Sequence, residues 1–135
     1  MQTLLPYLDF SHTALCLDSR RLGKQRVEAR TIINILENKT NSKAWKNHPA
    51  VLMWKGYESA LKLYFNCISR EWVDRHYIHN MGFYLLSTFV KYPPWMGNED
   101  FHLSHQSNLV RKFPEHYRRY FPDVPDNLPY IWPTK

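Results

Sequence analysis

The chain has 135 residues, 44% of them hydrophobic and 16% aromatic, with a formal net charge of +6. That length ordinarily makes one domain with a single core, and the composition excludes a disordered chain. No apolar run approaches the ~20 residues that span a bilayer, and Met1-Gln-Thr-Leu-Leu-Pro-Tyr7 lacks the basic and apolar regions of a signal peptide. One soluble, cytoplasmic domain over residues 1–135 is therefore expected, with no membrane contact and a charge that favours an anionic partner.

Taken in chain order, a short extended stretch from Thr3 to Phe10 leads to Ser11, a candidate N-cap. The spacing predicts a first helix from there to about Asn38, loosened at Gly23. Two stripes share it. Leu15, Leu22, Ala29, Ile33 and Leu36 form an apolar seam that reads as core. Ala14, Asp18, Arg21, Gln25, Glu28, Ile32 and Ile35 form a second, apolar at its ends and ionic in its middle.

Residues 38–43 read as a polar loop. Pro49 suits the first turn of a second helix, with Asn47 or His48 before it and an end near Arg75. Its stripe of Trp54, Tyr57, Leu61, Tyr64, Ile68 and Trp72 reads as core. The apolar run from Asn80 to about Lys91 predicts a third helix, stopped by Tyr92-Pro93-Pro94. Asn98 is placed to cap a fourth helix running through Phe113, and Pro114 to start a short piece over Glu115 to Tyr120. From Pro122 to Pro133 the prolines exclude regular structure, so an extended tail anchored by Tyr130, Ile131 and Trp132 is expected. No stretch alternates as a sheet would. The fold class is all-α: about four helices and an extended Pro-rich C-terminal tail. Cys16 and Cys67 read as free thiols.

The ionic stripe is the candidate for chemistry. Buried Asp, Arg, Gln and Glu need partners or a cavity. Glu28 is the candidate acid–base group, with Arg21, Gln25, Arg26 and Arg30 near it in sequence. The alternative is a packing network of Asp18, Arg21 and Glu28. Residues 18–30 hold five basic side chains and residues 111–119 hold four, and the two clusters make one phosphate-binding surface if the fold joins them. Arg20, Lys24, Lys46, Asn47 and His48 are candidate anion holders; Asn47 and His48 equally suit a helix cap. His102, His105, Asn108 and Arg111 recur along the fourth helix as a candidate ligand-facing row. Nothing has the spacing of a metal site, and the scattered glycines make no phosphate loop, so no cofactor is expected.

The segment Leu17-Asp-Ser-Arg-Arg-Leu-Gly-Lys-Gln-Arg-Val-Glu28 resembles the first helix of the phage endonuclease V family, the pyrimidine-dimer DNA glycosylases. By that resemblance Glu28 matches the family's catalytic glutamate and Arg21 its histidine. The similarity covers about the first half of the chain. Val27 stands where the family has arginine, and Gln2 where it has the small residue whose freed amine attacks the sugar. The resemblance then leaves the Met1 amine, Lys24 or water as the attacking group. Nearly the whole chain also resembles a group of uncharacterised small phage and bacterial proteins, through Arg-Arg-Leu-Gly-Lys-Gln-Arg-Val-Glu, Asn-His-Pro-Ala and Asp-Asn-Leu-Pro-Tyr-Ile-Trp-Pro.

These features predict an enzyme that cleaves an N-glycosidic bond in DNA or a nucleotide. Glu28 acts with Arg21 and Lys24, and Arg20, Gln25, Arg26, Lys46, Asn47, His48, His105, Asn108 and Arg111 hold the ligand. The rival expectation is a non-catalytic protein that sequesters a nucleotide or nucleic acid in the same pocket, as a phage would use against its host. The sequence leaves the oligomeric state open.

Overall fold

The computed structural model describes residues 1–40 and 45–133; part of the predicted 38–43 loop lies outside these. Among them the chain forms α1 (Phe10–Cys16), α2 (Ser19–Leu36), α3 (Pro49–Leu52), α4 (Glu58–Asp74), α5 (Glu99–Lys112) and α6 (Pro114–Tyr117), and no strand. The all-α class holds, with six helical segments in place of about four.

Two of the extra segments come from helices that break where a side chain offers the backbone a better partner. The predicted first helix divides at Leu17 and Asp18, both extended. The Asp18 carboxylate caps α2 by accepting from the Arg21 N–H at 3.4 Å, which satisfies a donor an uninterrupted helix would have used internally. Asp9, not Ser11, caps α1, accepting from His12 N–H at 3.0 Å. Ser11 instead points its hydroxyl at the Cys67 sulfur, 3.7 Å away. The break turns Leu15 out to 59% exposure, so it leaves the predicted core seam, while Leu22, Ala29 and Ile33 remain fully buried.

The second predicted helix is likewise interrupted, between Leu52 and Glu58, where Gly56 takes φ +88°. Only glycine adopts this at little cost. The interruption swings Trp54 fully inward, where its indole N–H donates to the Thr3 hydroxyl at 3.1 Å. The predicted aromatic stripe still forms core: Leu61, Tyr64 and Ile68 are fully buried, and Tyr57 and Trp72 pack at its margin.

The predicted third helix is absent. Both backbone groups of Tyr84 bond to the Asn66 side chain of α4, each at 2.9 Å, and Lys91 N–H donates to Ser59 at 3.2 Å. Side-chain partners on α4 thus take the place of helical bonds. Leu85 and Phe89, which a helix would have turned inward, are exposed.

Asn98 caps α5 as predicted, accepting from Phe101 N–H at 2.9 Å. The short piece beyond it is α6, ending at Tyr117 and not Tyr120. The described residues after Tyr117 contain no helix or strand. They are tied down by Arg118, whose guanidinium donates to the carbonyls of Phe121, Pro122 and Val124, and by Ser107 and Ser104, which accept from Leu128 and Ile131 N–H. Tyr130 packs on His105 with ring centroids 4.6 Å apart, and Trp132 on Tyr130 at 4.8 Å. The Ile131 side chain faces out, so its backbone does the anchoring. Cys16 and Cys67 are both free.

Residues 2–6 run extended between α2, α4 and α5, with Thr3, Leu4, Leu5 and Pro6 buried. Leu5 N–H donates to His105 Nδ1 at 3.0 Å, and His102 Nδ1 bonds Leu5 O at 2.8 Å while its Nε2 accepts from Gly97 N–H. Both imidazoles are therefore needed neutral. Burial, and then the neighbouring His102, push His105 down to about 3.

Two predictions follow from this packing. A Cβ on Gly23 would lie 2.7 Å from the Trp72 ring, where α2 and α4 touch. Gly23→Ala should displace the indole and destabilise the fold by about 1–3 kcal/mol, measured as a lower denaturant midpoint. For His105, the unfolded chain takes up the proton below about 6.5 and the folded chain only near 3. Stability should therefore fall as pH drops through that window, with this group contributing about 1.4 kcal/mol per pH unit. Denaturant unfolding at neutral and mildly acid pH should show the slope, and His105→Gln should flatten it.

Candidate active site

Asp18 organises the start of α2. Besides the Arg21 N–H, its carboxylate accepts from the Tyr117 hydroxyl in a short hydrogen bond and from the Arg21 guanidinium at 3.3 Å, while Asp18 N–H donates to the Tyr117 oxygen at 3.1 Å. Burial alone would raise this carboxyl. The Tyr117 hydroxyl and Arg21 outweigh it and hold Asp18 below the usual carboxylate range. The N-terminal turn of α2 is thereby fixed to α6, a hundred residues on in the chain.

Below this turn, one flank of α2 borders a cavity of about 260 Å³, lined by Gln2, Leu4, Arg20, Arg21, Lys24, Gln25, Glu28 and Lys112. The helical steps from 20 to 24 to 28, and from 21 to 25 to 28, put these α2 side chains on one flank. Lys112 reaches in from the last turn of α5. Burial lowers the Lys112 ammonium first, and the positive charges of Arg21, Lys24 and Arg111 lower it further. The two basic clusters do converge, through Lys112.

Glu28 is the unusual member. It is half-buried and, among the described residues, makes no hydrogen bond and no ion pair. The structural carboxylates behave differently: Asp18 holds Arg21 and Tyr117, Glu37 holds Lys39 and Lys62, and Glu71 holds Arg75. A packing network through Asp18 and Arg21 exists, but Glu28 takes no part in it. Arg20, Lys24 and Lys112 have no carboxylate partner either among the described residues.

Beside the cavity, His48 caps α3, its Nδ1 accepting from Ala50 N–H at 3.0 Å. Its ring stands edge-on to Trp45 at 5.5 Å and to Trp132 at 5.8 Å. Burial, and then the charge of the Met1 amine, lower the imidazole, while the Glu28 carboxylate pulls the other way. The Met1 amine and Glu28 thus act on one imidazole from opposite sides of charge.

Other predicted ligand-holding residues lie elsewhere. Gln25 touches the cavity, yet its side chain is committed: Oε1 accepts from Leu4 N–H at 2.9 Å and Tyr64 at 2.7 Å, and Nε2 donates to Gln2 O at 3.1 Å. Arg26 sits on the other flank of α2, 4.7 Å over the Trp72 ring and 2.7 Å from His79. Lys46 and Asn47 border a separate depression with Asn38, Val51 and Lys55. His105 and Asn108 are buried, and Arg111 is bonded to Asn108 and to the Asp126 carbonyl. These three serve the N-terminal segment and the tail. Conversely, Gln2 and Lys112 line the cavity without having been singled out as site residues. The basic cluster at 111–119 was the signal for Lys112, but only the fold distinguishes it from Arg111, Arg118 and Arg119. No group of three or more His, Cys, Asp or Glu among the described residues is arranged to hold a metal ion, and no helix there is long and apolar enough to cross a membrane.

A helical domain with an unpaired carboxylate set among cations has the makings of an acid–base site for an anionic substrate. The chain belongs to the pyrimidine dimer DNA glycosylase family, whose model matches residues 1–85. The match spans α1 to α4 and every cavity residue except Lys112. No curated protein and no solved structure matches the chain.

Asp18→Asn keeps the cap oxygen but removes the charge. Because the folded carboxyl is lowered, its stabilisation is present above the unfolded value of ~3.9 and lost as pH falls through the folded value. The wild-type advantage over Asp18→Asn in thermal or denaturant unfolding should thus be full at neutral pH and vanish in strong acid.

Proposed function

We propose that the protein cleaves an N-glycosidic bond of a nucleotide in DNA, with Glu28 as the catalytic carboxylate. One observation carries this reading: Glu28 lines a cavity without a hydrogen bond or ion pair among the described residues, whereas Asp18, Glu37 and Glu71 are paired. A partly buried carboxylate with no ion pair is free to meet a substrate. As the bond from C1′ to the base breaks, positive charge develops on the sugar, and a fixed carboxylate stabilises it. The leaving base takes up a proton, and the attacking group loses one to a base such as Glu28.

The surrounding cations suit the substrate. Arg20, Arg21, Lys24 and Lys112 form a positive rim that would hold the phosphates flanking the reacting sugar, so binding should weaken steeply with salt. Arg21 is the most strongly oriented of them, through Asp18. The cavity has no aromatic lining, which fits a sugar and phosphate better than a stacked base. A nucleotide reacting here would have to leave the duplex stack. The amine of Met1, the amine of Lys24 and water remain the three attacking groups.

A second reading has its own support. Four cations around one carboxylate would also hold a nucleotide without cleaving it. One experiment separates the two. Wild type and Glu28→Gln are incubated with duplex DNA bearing a pyrimidine dimer, and with free nucleotides, in the presence of borohydride. Cleavage by wild type should fall on the order of 10²–10⁴-fold in Glu28→Gln while DNA binding persists. A trapped adduct assigns the amine to Met1 or Lys24, and cleavage without an adduct assigns water. Binding of an uncleaved ligand by both proteins would establish the sequestering role instead.

A further inference from the structure

The segment 77–92 carries apolar side chains that no described residue covers. Leu85 is 99% exposed, Ile78 88% and Phe89 74%, with Phe83 and Tyr92 about half exposed. Isolated exposed apolar residues are ordinary, but several on one short segment mark an interaction site. These tips are also held outward. Asn66 grips both backbone groups of Tyr84, the Arg30 guanidinium bonds the Met81 carbonyl, and His79 bonds the Gly82 carbonyl at 2.5 Å. The backbone is thus anchored on both sides of Phe83 while the side chains stay in solvent.

The surroundings of the patch identify what it meets. Arg70 lies 5.7 Å over the Phe83 ring, and Arg30 lies 4.9 Å over Tyr84, with Arg26 beside His79. None of these three arginines has a carboxylate partner among the described residues. Of the carboxylates near the segment, Glu71 is taken by Arg75, Glu37 by Lys62, which stands over the Tyr84 ring, and Asp9 by the His12 N–H, while Asp74 is exposed. A second copy of the chain would bring a like-charged rim against this one, in a molecule already at +6. A polyanion with apolar layers between its charges fits both the rim and the tips.

We propose that this segment is a second DNA contact, in which Phe83 and Leu85 wedge between base steps while Arg70 meets the phosphates. It rests on the reading of duplex DNA as substrate, and it adds a surface that the catalytic cavity does not include. Geometry joins the two. Arg20, Lys24 and Glu28 occupy one flank of α2, and Arg26 and Arg30 the other, with exposed Val27 between. A helix is about 10–12 Å across with its side chains, so one duplex lying over α2 reaches both flanks. An apolar wedge that unstacks a step lowers the cost of moving a neighbouring nucleotide into the cavity.

The test uses lesion-free duplex with 2-aminopurine as a stacking reporter, fluorescence anisotropy for affinity, and sedimentation for self-association. Phe83, Leu85 and Arg70 are partly or fully exposed, so Phe83→Ser/Leu85→Ser and Arg70→Ala should keep the wild-type unfolding midpoint. The double variant should bind about 10-fold more weakly and lose the 2-aminopurine brightening, with its salt dependence unchanged. Arg70→Ala should reduce the salt slope by about one while keeping the brightening. Unchanged affinity and fluorescence in the double variant would overturn the wedge. So would a wild-type dimer that the double variant dissolves, or no wild-type binding to duplex at all. Wedge-dependent binding without cleavage of any substrate would leave the wedge standing and remove the proposed activity.

Discussion

The fold depends on burying an extended segment whose backbone polar groups have no secondary structure to satisfy them. Residues 3–6 are buried, and unpaired N–H and C=O groups there would each cost about 1–3 kcal/mol. Side chains supply the partners in turn. Gln25 takes Gln2 O and Leu4 N–H, Tyr64 takes Leu4 O, His105 and His102 take the two groups of Leu5, and Gln106 takes Pro6 O. Trp54 reaches the Thr3 hydroxyl, and Tyr130 the Thr3 carbonyl. Helices α2, α4 and α5, the Trp54 turn and the tail all meet on these few residues. Each is held in place partly by what it gives to them.

The same constraint sorts the residues of α2. Its inner side is committed to the segment and to α4: Gln25 clamps Gln2 and Leu4, Leu22 and Ala29 are core, and Gly23 lets Trp72 come close. One outer flank, through Arg26 and Arg30, holds residues 79–81. Glu28 is left over, facing a cavity bordered by Gln2 and Leu4 of that segment. The N-terminal residues are thus both a structural keystone and a wall of the site.

How far the sequence was legible follows from where the partners lie. The ionic stripe was visible as an anomaly because helical spacing is local, and that spacing does place Arg21, Gln25 and Glu28 together. Asn98 and Pro49 were legible for the same reason: a cap acts within a few residues. The break at Asp18 was not, because its carboxylate is fixed by Tyr117, ninety-nine positions away. Nor was the loss of the helix over 80–91, whose apolar residues carry a helical pattern but whose backbone is claimed by Asn66, Arg30 and Ser59. The polar row of α5 misled in the opposite way. His102, His105 and Asn108 looked free for a ligand, yet they are buried, and the two imidazoles are taken up by Leu5.

The part of the chain beyond residue 85, outside the span of the family match, is therefore not an appendage. α5 carries the histidines that seat Leu5 and ends on Lys112, the fourth cation of the cavity; α6 supplies Tyr117, which fixes Asp18 and through it Arg21. Glu28 and three of its cations come from one helix, but a helix alone cannot enclose them, since adjacent side chains on its surface diverge toward solvent. Enclosure requires a wall from elsewhere. Here the extended N-terminal residues and the last turn of α5 provide it, and the second basic cluster joins the first by that route. An isolated α1–α4 fragment would keep Glu28, Gln2 and Leu4 but lose Lys112 and the histidines that seat the N-terminal wall, so the matched span and the remainder build the cavity together.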